Sequence, residues 1–481
     1  MSFWLTNGRP LLCLMLSGAL IAGCAVGPNY KRPMVDSPGV FRDDTGPTNS
    51  SFADLNWWQV YQDETLQTLI REALTNNYDL RIAVSRVEQA RALVMQARSQ
   101  FVPNIGYGGV VSHGRNDLFG SAFPNNAAVA SSATATLNAF WEVDLWGRVR
   151  RLNESVRAQF LATEEARHGV RLSLLSEVAT DYFRLMELDR ELDIVRRTTN
   201  SFGESLRIFT QRLEGGTATD LEASRAEAAL ANATSAAPLI LEQITLLENE
   251  LCVLLGRNPG PIVRAELAAS ALPPEVPAGL PSVLLERRPD VRQTEQLLRS
   301  ANAQVGESVA EFFPKLGLTT FLGKISPQLS AFTLGGANAW GVGAEVAGPL
   351  FEGGRLVGQY RQAKAVRAEA GWHYKQTILN AFREVSDALV SRERLEEIRD
   401  QQSREVQALN RAVTVSTQRY LAGKASYYEV LEAQQQLFPA QLNLARTQRD
   451  QELAVVTLFK ALGGGWRDET QTASASPQPQ H

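Results

Sequence analysis

The sequence contains few of the residues that build most catalytic and metal-binding sites. Three cysteines and four scattered histidines are present among 481 residues, and neither type recurs at the short spacings of metal ligands. No pattern places a nucleophile beside a base. We therefore expect no enzymatic activity, no bound metal ion and no dissociable cofactor.

An excess of charge of either sign is also missing. The 48 Lys and Arg residues and the 52 Asp and Glu residues leave a net charge of -4, without a basic block. Nucleic-acid binding requires a basic patch that faces the phosphates, so nucleic acid is not an expected partner. With 44% hydrophobic residues, the chain is too apolar to be disordered.

The first 23 residues have the pattern of a targeting segment. A leucine-rich run at 11–21 follows a single cation, and it is shorter than the roughly 20 residues that a spanning helix needs. The run ends in LIAGC, which resembles the lipobox of bacterial lipoproteins. The resemblance implies a signal peptide at 1–23 and covalent S-diacylglycerol and N-acyl lipid on Cys24, and Ala25 in place of an aspartate favours outer-membrane sorting. An ordinary cleavage site, with Cys24 as a small residue, is the alternative.

An internal repeat organises the mature chain. Residues 74–103 align without a gap with residues 285–314, which pairs Pro103 with Pro314 at an offset of 211. Later the offset becomes 207, and it pairs Arg148 with Arg355, Glu177 with Glu384, Arg212 with Arg419, Gly216 with Gly423, Glu222 with Glu429 and Gly256 with Gly463. The chain is therefore one unit made twice.

This repeat and the distribution of proline predict the order of segments. We expect a loosely structured N-terminal arm at 24–62, repeat 1 at 63–258, a proline-rich connector at 259–283, repeat 2 at 284–465 and a disordered tail at 466–481. Cys252 lies among leucines and is predicted to be a small buried hydrophobe.

Each repeat is expected to contain a helix followed by a β-hairpin. The helices, at about 63–101 and 289–312, stop at a proline. Alternating apolar and polar residues at 133–145 and 340–346 predict strands. Their partner strands are predicted near 105–113 and 316–325, which gives hairpins within 104–145 and 315–351.

Four strands cannot close a membrane barrel, so strands that span a bilayer must be completed by other subunits. Trp141 and Trp340 lie near the ends of the apolar rows and suit an aromatic girdle at the membrane interface. Soluble hairpins with one buried face are the alternative.

A very long helix is predicted after each hairpin, at 148–213 and 355–421. At 1.5 Å per residue, such a helix is on the order of 100 Å long. Apolar residues recur at the three- and four-residue spacing of a coiled coil at Leu175, Val178, Tyr182, Leu185, Leu188, Leu192 and Val195.

Each long helix is expected to end in a glycine-containing turn, near 213–220 and 421–427. Thr219 and Ser426 are predicted N-caps of the returning helices. Glu222 and Glu429, three residues later, would complete capping boxes.

Several motifs together resemble the lipoprotein branch of the TolC-like outer-membrane efflux factors. They are CAVGPNYKRP from Cys24, the pair Trp57-Trp58, FWEVDLWGR from Phe140, RRPDV from Arg287, GPLFEGGR from Gly348 and RYLAG from Arg419. The resemblance covers nearly the whole mature chain. It implies an α+β membrane protein, a homotrimer whose twelve-stranded outer-membrane β-barrel takes four strands from each chain and is continued by a long α-helical coiled-coil periplasmic tunnel.

The resemblance also implies a passive efflux channel for drugs or other toxic small molecules. Its partners would be outer-membrane lipid, a periplasmic adaptor and an inner-membrane pump, commonly of the resistance-nodulation-division type. A duct for type I polypeptide secretion and a periplasmic lipoprotein scaffold without a pore are the alternatives. The five methionines do not cluster, so a methionine-lined copper path has no support.

The resemblance assigns a periplasmic gate to Glu429, Glu432, Tyr420 and Glu222. Glu429 and Glu432 match family positions where acidic residues ring the constriction. A capping residue is the alternative for Glu429, and a solvated helix face is the alternative for Glu432.

Tyr420 matches the family position whose side chain ties the closed tip. The arginine usually found two residues after the turn glycine is Ala425 here, so we expect Lys424 or Arg225 to take its place. The exposed turns are predicted adaptor-docking tips, with plain hairpin turns as the alternative; their residues are Gly215, Gly216, Thr217, Gly423, Lys424 and Ala425.

Overall fold

The computed structural model describes residues 25–41, 51–115, 129–264, 279, 281–326, 332–333 and 337–465. The predicted signal peptide, Cys24, residues 265–278 of the predicted connector and the predicted tail lie outside the described residues. The chain divides into two compact units. Unit 1 comprises Met1–Met34, Arg86–Glu164 and Gln293–Lys375, and unit 2 comprises Val35–Ser85, Glu165–Arg292 and Gln376–His481.

Helices form most of the described chain. After a short 3₁₀ helix at Phe52–Asp54 they are α1 (Trp57–Val60), α2 (Glu64–Asn76), α3 (Tyr78–Ser99), α4 (Arg148–Glu214), α5 (Asp220–Leu254), α6 (Pro281–Arg287), α7 (Pro289–Ala310), α8 (Arg355–Leu421) and α9 (Tyr427–Ala461). None of these helices, within the described ranges, is both long and apolar enough to cross a membrane.

The prediction of a single helix at 63–101 is wrong, because the helix is interrupted at Asn77 and forms α2 and α3 instead. The Asn77 side-chain oxygen accepts a hydrogen bond from the Leu80 amide at 2.9 Å, and its amide group donates to the Leu254 carbonyl at 3.0 Å. Asn77 therefore caps the start of α3. Its side chain takes the place of a backbone hydrogen-bond partner there, as asparagine often does at helix ends.

The long helices agree closely with the repeat. Helices α4 and α8 each have 67 residues, and the returning helices α5 and α9 each have 35. The seven apolar residues that predicted a coiled-coil seam in α4 are all buried. Equal lengths in the two halves confirm that one helical hairpin is made twice.

Four antiparallel strands in chain order make up the sheet of unit 1. They are β1 (Asn104–Arg115), β2 (Val129–Val143), β3 (Lys315–Ser326) and β4 (Asn338–Ala347). Among the described residues, the outer edges of β1 and β4 have no strand partner. Open edges leave backbone donors and acceptors free to pair with another chain.

One face of the sheet is apolar and exposed in the single chain. The register pairs Trp141 with Leu318 and Trp340 with Leu322, so the two tryptophans share this face and lie at levels four residues apart along β3. Large exposed residues of the same face are Ile105, Tyr107, Val111, Leu137, Val342 and Val346.

The opposite face is built mainly of glycine, threonine and asparagine. Its members include Gly106, Gly108, Thr134, Thr136, Asn138, Gly317, Thr319, Gly341 and Gly343. The predicted alternation is therefore observed. The apolar side chains Val110, Phe140, Phe321 and Ile325 also lie on this face. A mainly apolar face backed by a face of mainly small and polar residues is the pattern of a strand that contacts lipid on one side and water on the other.

Candidate functional site

The two helical hairpins of unit 2 reverse through the same backbone turn. In the first turn, the amide of Gly216 donates to the Leu213 carbonyl at 3.0 Å and that of Thr217 to the Arg212 carbonyl at 2.8 Å. The second turn repeats this pattern at Gly423 and Lys424. Both glycines have positive φ, 69° and 71°, as the Schellman motif requires.

The predicted docking residues lie on these turns. Gly215, Gly216, Thr217, Gly423 and Lys424 are exposed, and Ala425 is half-buried. In both turns the closing hydrogen bonds come from backbone atoms, so the side chains of Thr217 and Lys424 can be changed without removing those bonds. Their docking role stays a prediction.

Behind the turns, an apolar cluster joins the two hairpins. It contains Phe202 and Phe209 of α4, Ala226, Ala229 and Ala233 of α5, and Tyr427, Val430 and Leu431 of α9. The Tyr427 ring packs edge-on against Phe209, with ring centroids 4.3 Å apart, and against Tyr420, 5.2 Å away. The Tyr427 hydroxyl donates to the Ser205 hydroxyl, so the one polar atom of the Tyr427 side chain has a hydrogen-bond partner.

The cation that meets Tyr420 is Arg212. Its guanidinium donates a hydrogen bond to the Tyr420 hydroxyl and lies 5.0 Å from the centre of the ring. Arg225 lies over the Tyr428 ring, 5.3 Å from its centre, and the substitution of Lys424 or Arg225 for the missing family arginine stays a prediction. Arg212 was visible in the sequence as the repeat counterpart of Arg419, but nothing in that pairing indicated its partner.

Glu222 has the predicted capping role. Its carboxylate accepts hydrogen bonds from the Thr219 amide at 2.8 Å and the Thr219 hydroxyl at 3.0 Å, and the Glu222 amide donates back to that hydroxyl. The backbone hydrogen bond, then the hydroxyl, and then the charge of Arg212 lower the pKa of Glu222. This carboxylate is therefore held ionised at the start of α5, where the helix dipole favours negative charge.

The capping box predicted for Glu429 is wrong. The Ser426 side chain makes no capping hydrogen bond, and the Glu429 carboxylate lies 3.6 Å from the Arg419 guanidinium. A neighbouring cation on α8 competes for the carboxylate. Glu432 is exposed on α9, and the gate roles of both glutamates stay predictions.

Trp141 and Trp340 differ in their surroundings. The Trp141 indole donates to the Phe101 carbonyl at 3.1 Å and the residue is half-buried, whereas Trp340 is 75% exposed. A tryptophan with one wet and one apolar end suits a membrane interface. Their girdle role stays a prediction.

A second charged cluster of unit 2 had no signal in the sequence. Arg446 lies 2.7 Å from Glu191 and Arg449 lies 3.2 Å from Glu187, and these residues line part of a cavity of about 350 Å³. Burial, then the charge of Glu191, raises the pKa of Glu187 to about 7 against the opposing effect of Arg449. Within the described ranges, no group of three or more His, Cys, Asp or Glu side chains is placed to hold a metal ion.

Comparison with known proteins identifies the family. The family model described as "Outer membrane efflux protein" matches residues 69–257 and 280–464. The chain is 33% identical over 476 residues to the toluene efflux pump outer membrane protein TtgC of Pseudomonas putida, covering 97% of this chain and 98% of that protein. It is 30% identical to the cation efflux system protein CusC of Escherichia coli, with coverages of 93% and 97%.

A solved structure agrees with these relatives. The outer-membrane channel OprN superposes with a TM-score of 0.86 at 28% identity, and the match covers 92% of this chain and 100% of that one. The predicted fold class, a homotrimeric outer-membrane channel with four strands per chain and an α-helical tunnel, is confirmed, as is the role in efflux across the outer membrane. The chain therefore belongs to the outer membrane efflux protein family.

Proposed function

We propose that this protein is the outer-membrane duct of a tripartite efflux pump and passively conducts small toxic molecules from the periplasm to the exterior. The partners are a periplasmic adaptor and an inner-membrane pump, commonly of the resistance-nodulation-division type. Covalent lipid on Cys24 anchors the chain to the outer membrane. Trp141 and Trp340 contribute to the aromatic girdle, where indoles sit at the lipid headgroups.

One observation supports a gate at the helical tips. The contact of Arg212 with Tyr420 joins the end of α4 to the end of α8. Behind it, the Tyr427 cluster packs α4, α5 and α9 together, and Tyr420 of α8 packs against that cluster. A tie between the hairpins limits their separation, so breaking it favours a wider tip. Glu429 and Glu432, exposed beside the tie, would attract cations to the constriction in a trimer.

The adaptor is proposed to dock at the exposed turns. We expect Lys424→Glu to reduce efflux, because it reverses a charge at the turn while the backbone hydrogen bonds of the Schellman motif remain. Arg411→Glu is the matched control, since Arg411 is an exposed cation on α8 away from the turn. Equal efflux from the two variants would argue against docking through this turn.

Efflux itself is tested by complementation. The chain would be expressed with a candidate adaptor and inner-membrane pump in a strain that lacks its own outer-membrane component, and survival would be measured against toluene and metal cations. These compounds are chosen because the names of the relatives TtgC and CusC mention toluene efflux and cation efflux. Restored resistance to a small toxic compound is the expected result. Restored secretion of a polypeptide without any change in resistance would support the type I secretion alternative instead.

A further inference from the structure

The segment that directly follows Cys24 is held against unit 1. The Val26 amide donates to the Trp146 carbonyl at 3.0 Å, and the Asn302 side chain donates to the Pro28 carbonyl at 2.8 Å. Ala25 lies on Gly147, where a Cβ would come 2.7 Å from the Ala25 Cα. Although the segment has no helix or strand, its backbone has fixed partners, so the prediction of a loose arm is wrong for residues 25–32.

Arg151 supplies most of the donors that hold the first half of this segment. It is buried, and it donates to the Val26 carbonyl at 3.2 Å, the Gly27 carbonyl at 3.4 Å and the Asn29 side chain at 2.8 Å. The Nη1 atom of this buried guanidinium pairs with Glu154 at 2.7 Å, whereas Nε and Nη2 are directed at the extended peptide and would lose the partners named above without it.

A glycine-to-glycine contact follows. Gly27 has φ 91°, and a Cβ built on it would lie 2.4 Å from the Gly306 Cα. Both the backbone conformation and the space therefore require glycine at this position. By contrast, nothing lies within 4 Å of a Cβ built on Gly39, farther along the arm.

Glu295 closes the second half of the site. It is only 6% exposed, and its carboxylate accepts from the Tyr30 hydroxyl at 3.3 Å, from Arg299 at 2.7 Å and from Arg32 at 3.1 Å. Arg32 also donates to the Tyr374 hydroxyl at 3.1 Å. One carboxylate thus joins two residues of the arm to the helical body, and charge-assisted hydrogen bonds of this kind are the strong ones.

We propose that residues 25–32 form a strap in a dedicated groove of unit 1, and that the strap fixes the membrane-anchored N-terminus to both repeats. The groove takes Arg151 from repeat 1 and Glu295, Asn302, Gly306 and Tyr374 from repeat 2. The strap therefore connects α4 with α7 and α8. It places the N-terminus beside Gly147, in the turn between β2 and α4. The anchoring role of the strap rests on the proposed function, whereas its docking in the groove does not.

The test uses the purified full-length protein. Trypsin cleavage after Lys31 would be followed by mass spectrometry, since the strap must leave the groove to enter a protease. We expect at least about tenfold faster cleavage for Gly27→Ala, because a loss of about 1.4 kcal/mol already changes the released population tenfold. Gly39→Ala is the matched control and should be cleaved at the wild-type rate. Equal rates for Gly27→Ala and Gly39→Ala would overturn the proposal.

Two further measurements keep the test decisive. Glu295→Gln keeps the size of the side chain and removes its charge, and it should also speed cleavage. In the wild-type protein, the Val26 amide should exchange its hydrogen slowly, and exchange at the rate of an unfolded peptide would overturn the proposal whatever the variants do.

The strap and the proposed function can fail separately. Cys24→Ser should leave the protection of the strap unchanged, because protein groups hold it. Loss of protection in Cys24→Ser would mean that lipid holds the segment, and would overturn the groove. Failure of the wild-type chain to restore resistance would contradict efflux while leaving the protease and exchange results as they stand.

Discussion

The two repeats share a backbone but differ in what surrounds it. Helices of equal length and the same Schellman turn occur in both. Yet Glu222 caps its helix whereas Glu429 pairs with Arg419. Glu187 is buried beside Arg449, whereas Arg394, at the same position of repeat 2, is exposed. Local sequence thus determines the turns and helix ends, and tertiary neighbours determine the partners of each side chain.

The largest expected effect comes from the aromatic cluster that joins the repeats. Tyr427 is 7% exposed and its neighbour Tyr428 is 53% exposed. Tyr427→Ala removes ring contacts with both hairpins and a buried hydroxyl, so it should cost about 3 kcal/mol of stability. Tyr428→Ala, the matched control, should cost less than about 1 kcal/mol. Denaturant unfolding of the two variants measures the difference, and equal losses would contradict a shared core at the tips.

A pH-dependent difference is expected at Glu187. Because the pKa of its carboxyl is raised from 4.5 to about 7 in the folded chain, the folded state binds its proton more tightly than the unfolded state. The stabilisation of the folded state by the protonated Glu187 carboxyl is therefore complete below about pH 4.5 and is lost as the pH rises through about 7. Glu187→Gln should flatten this part of the curve of melting temperature against pH.

The control for this prediction is Glu397→Gln, on an exposed part of α8. It should keep the wild-type pH profile. If the pH profile is also unchanged in Glu187→Gln, burial in α4 does not raise the pKa of Glu187, and the two repeats do not differ in this respect.

The two N-caps give a smaller and more direct comparison. Thr219 bonds the Glu222 amide and Ser426 makes no such bond. Thr219→Ala should therefore cost about 1 kcal/mol, and Ser426→Ala should cost close to nothing. Both can be read from hydrogen exchange in the first turns of α5 and α9. Similar losses of protection would mean that the two caps are equivalent in solution.

The smallest effect is expected at Glu429. Its pair with Arg419 is about half exposed on both sides, and exposed pairs contribute about 0 to 1 kcal/mol. Glu429→Gln should lower stability by less than that at low salt and by nothing measurable at 1 M salt, where the Debye length is about 3 Å. A loss that persists at high salt would show that Glu429 has a buried partner in the trimer.

Much of the fold was predictable because its signals are local. Proline at the ends of helices, alternation in the strands and glycine in the turns act within a few residues, so they predicted four strands and two pairs of long helices. The internal repeat added a second, independent copy of the signal for each element. The break at Asn77 was missed because its side chain caps α3 and also bonds Leu254, a partner 177 residues away in the chain.

The partners within the site were harder to predict for the same reason. Arg212 and Tyr420 are separated by 208 residues, and several arginines near the turns were equally compatible with the sequence. Glu295 and Arg151 gave no signal either, because a groove that binds the arm exists only after three helices have packed. Residue identity indicated that a tip and an arm were present, and only packing determined what each one contacts.

The contact between Arg212 and Tyr420 is the central claim for gating, and single-channel conductance tests it most directly. Arg212→Ala would be compared in planar bilayers with Arg207→Ala, whose side chain bonds only Glu204 and Gln211 of its own helix among the described residues. We predict a severalfold larger open conductance or open probability for Arg212→Ala and wild-type currents for Arg207→Ala. Identical currents from Arg212→Ala and the wild-type protein would contradict a gate tied at this point.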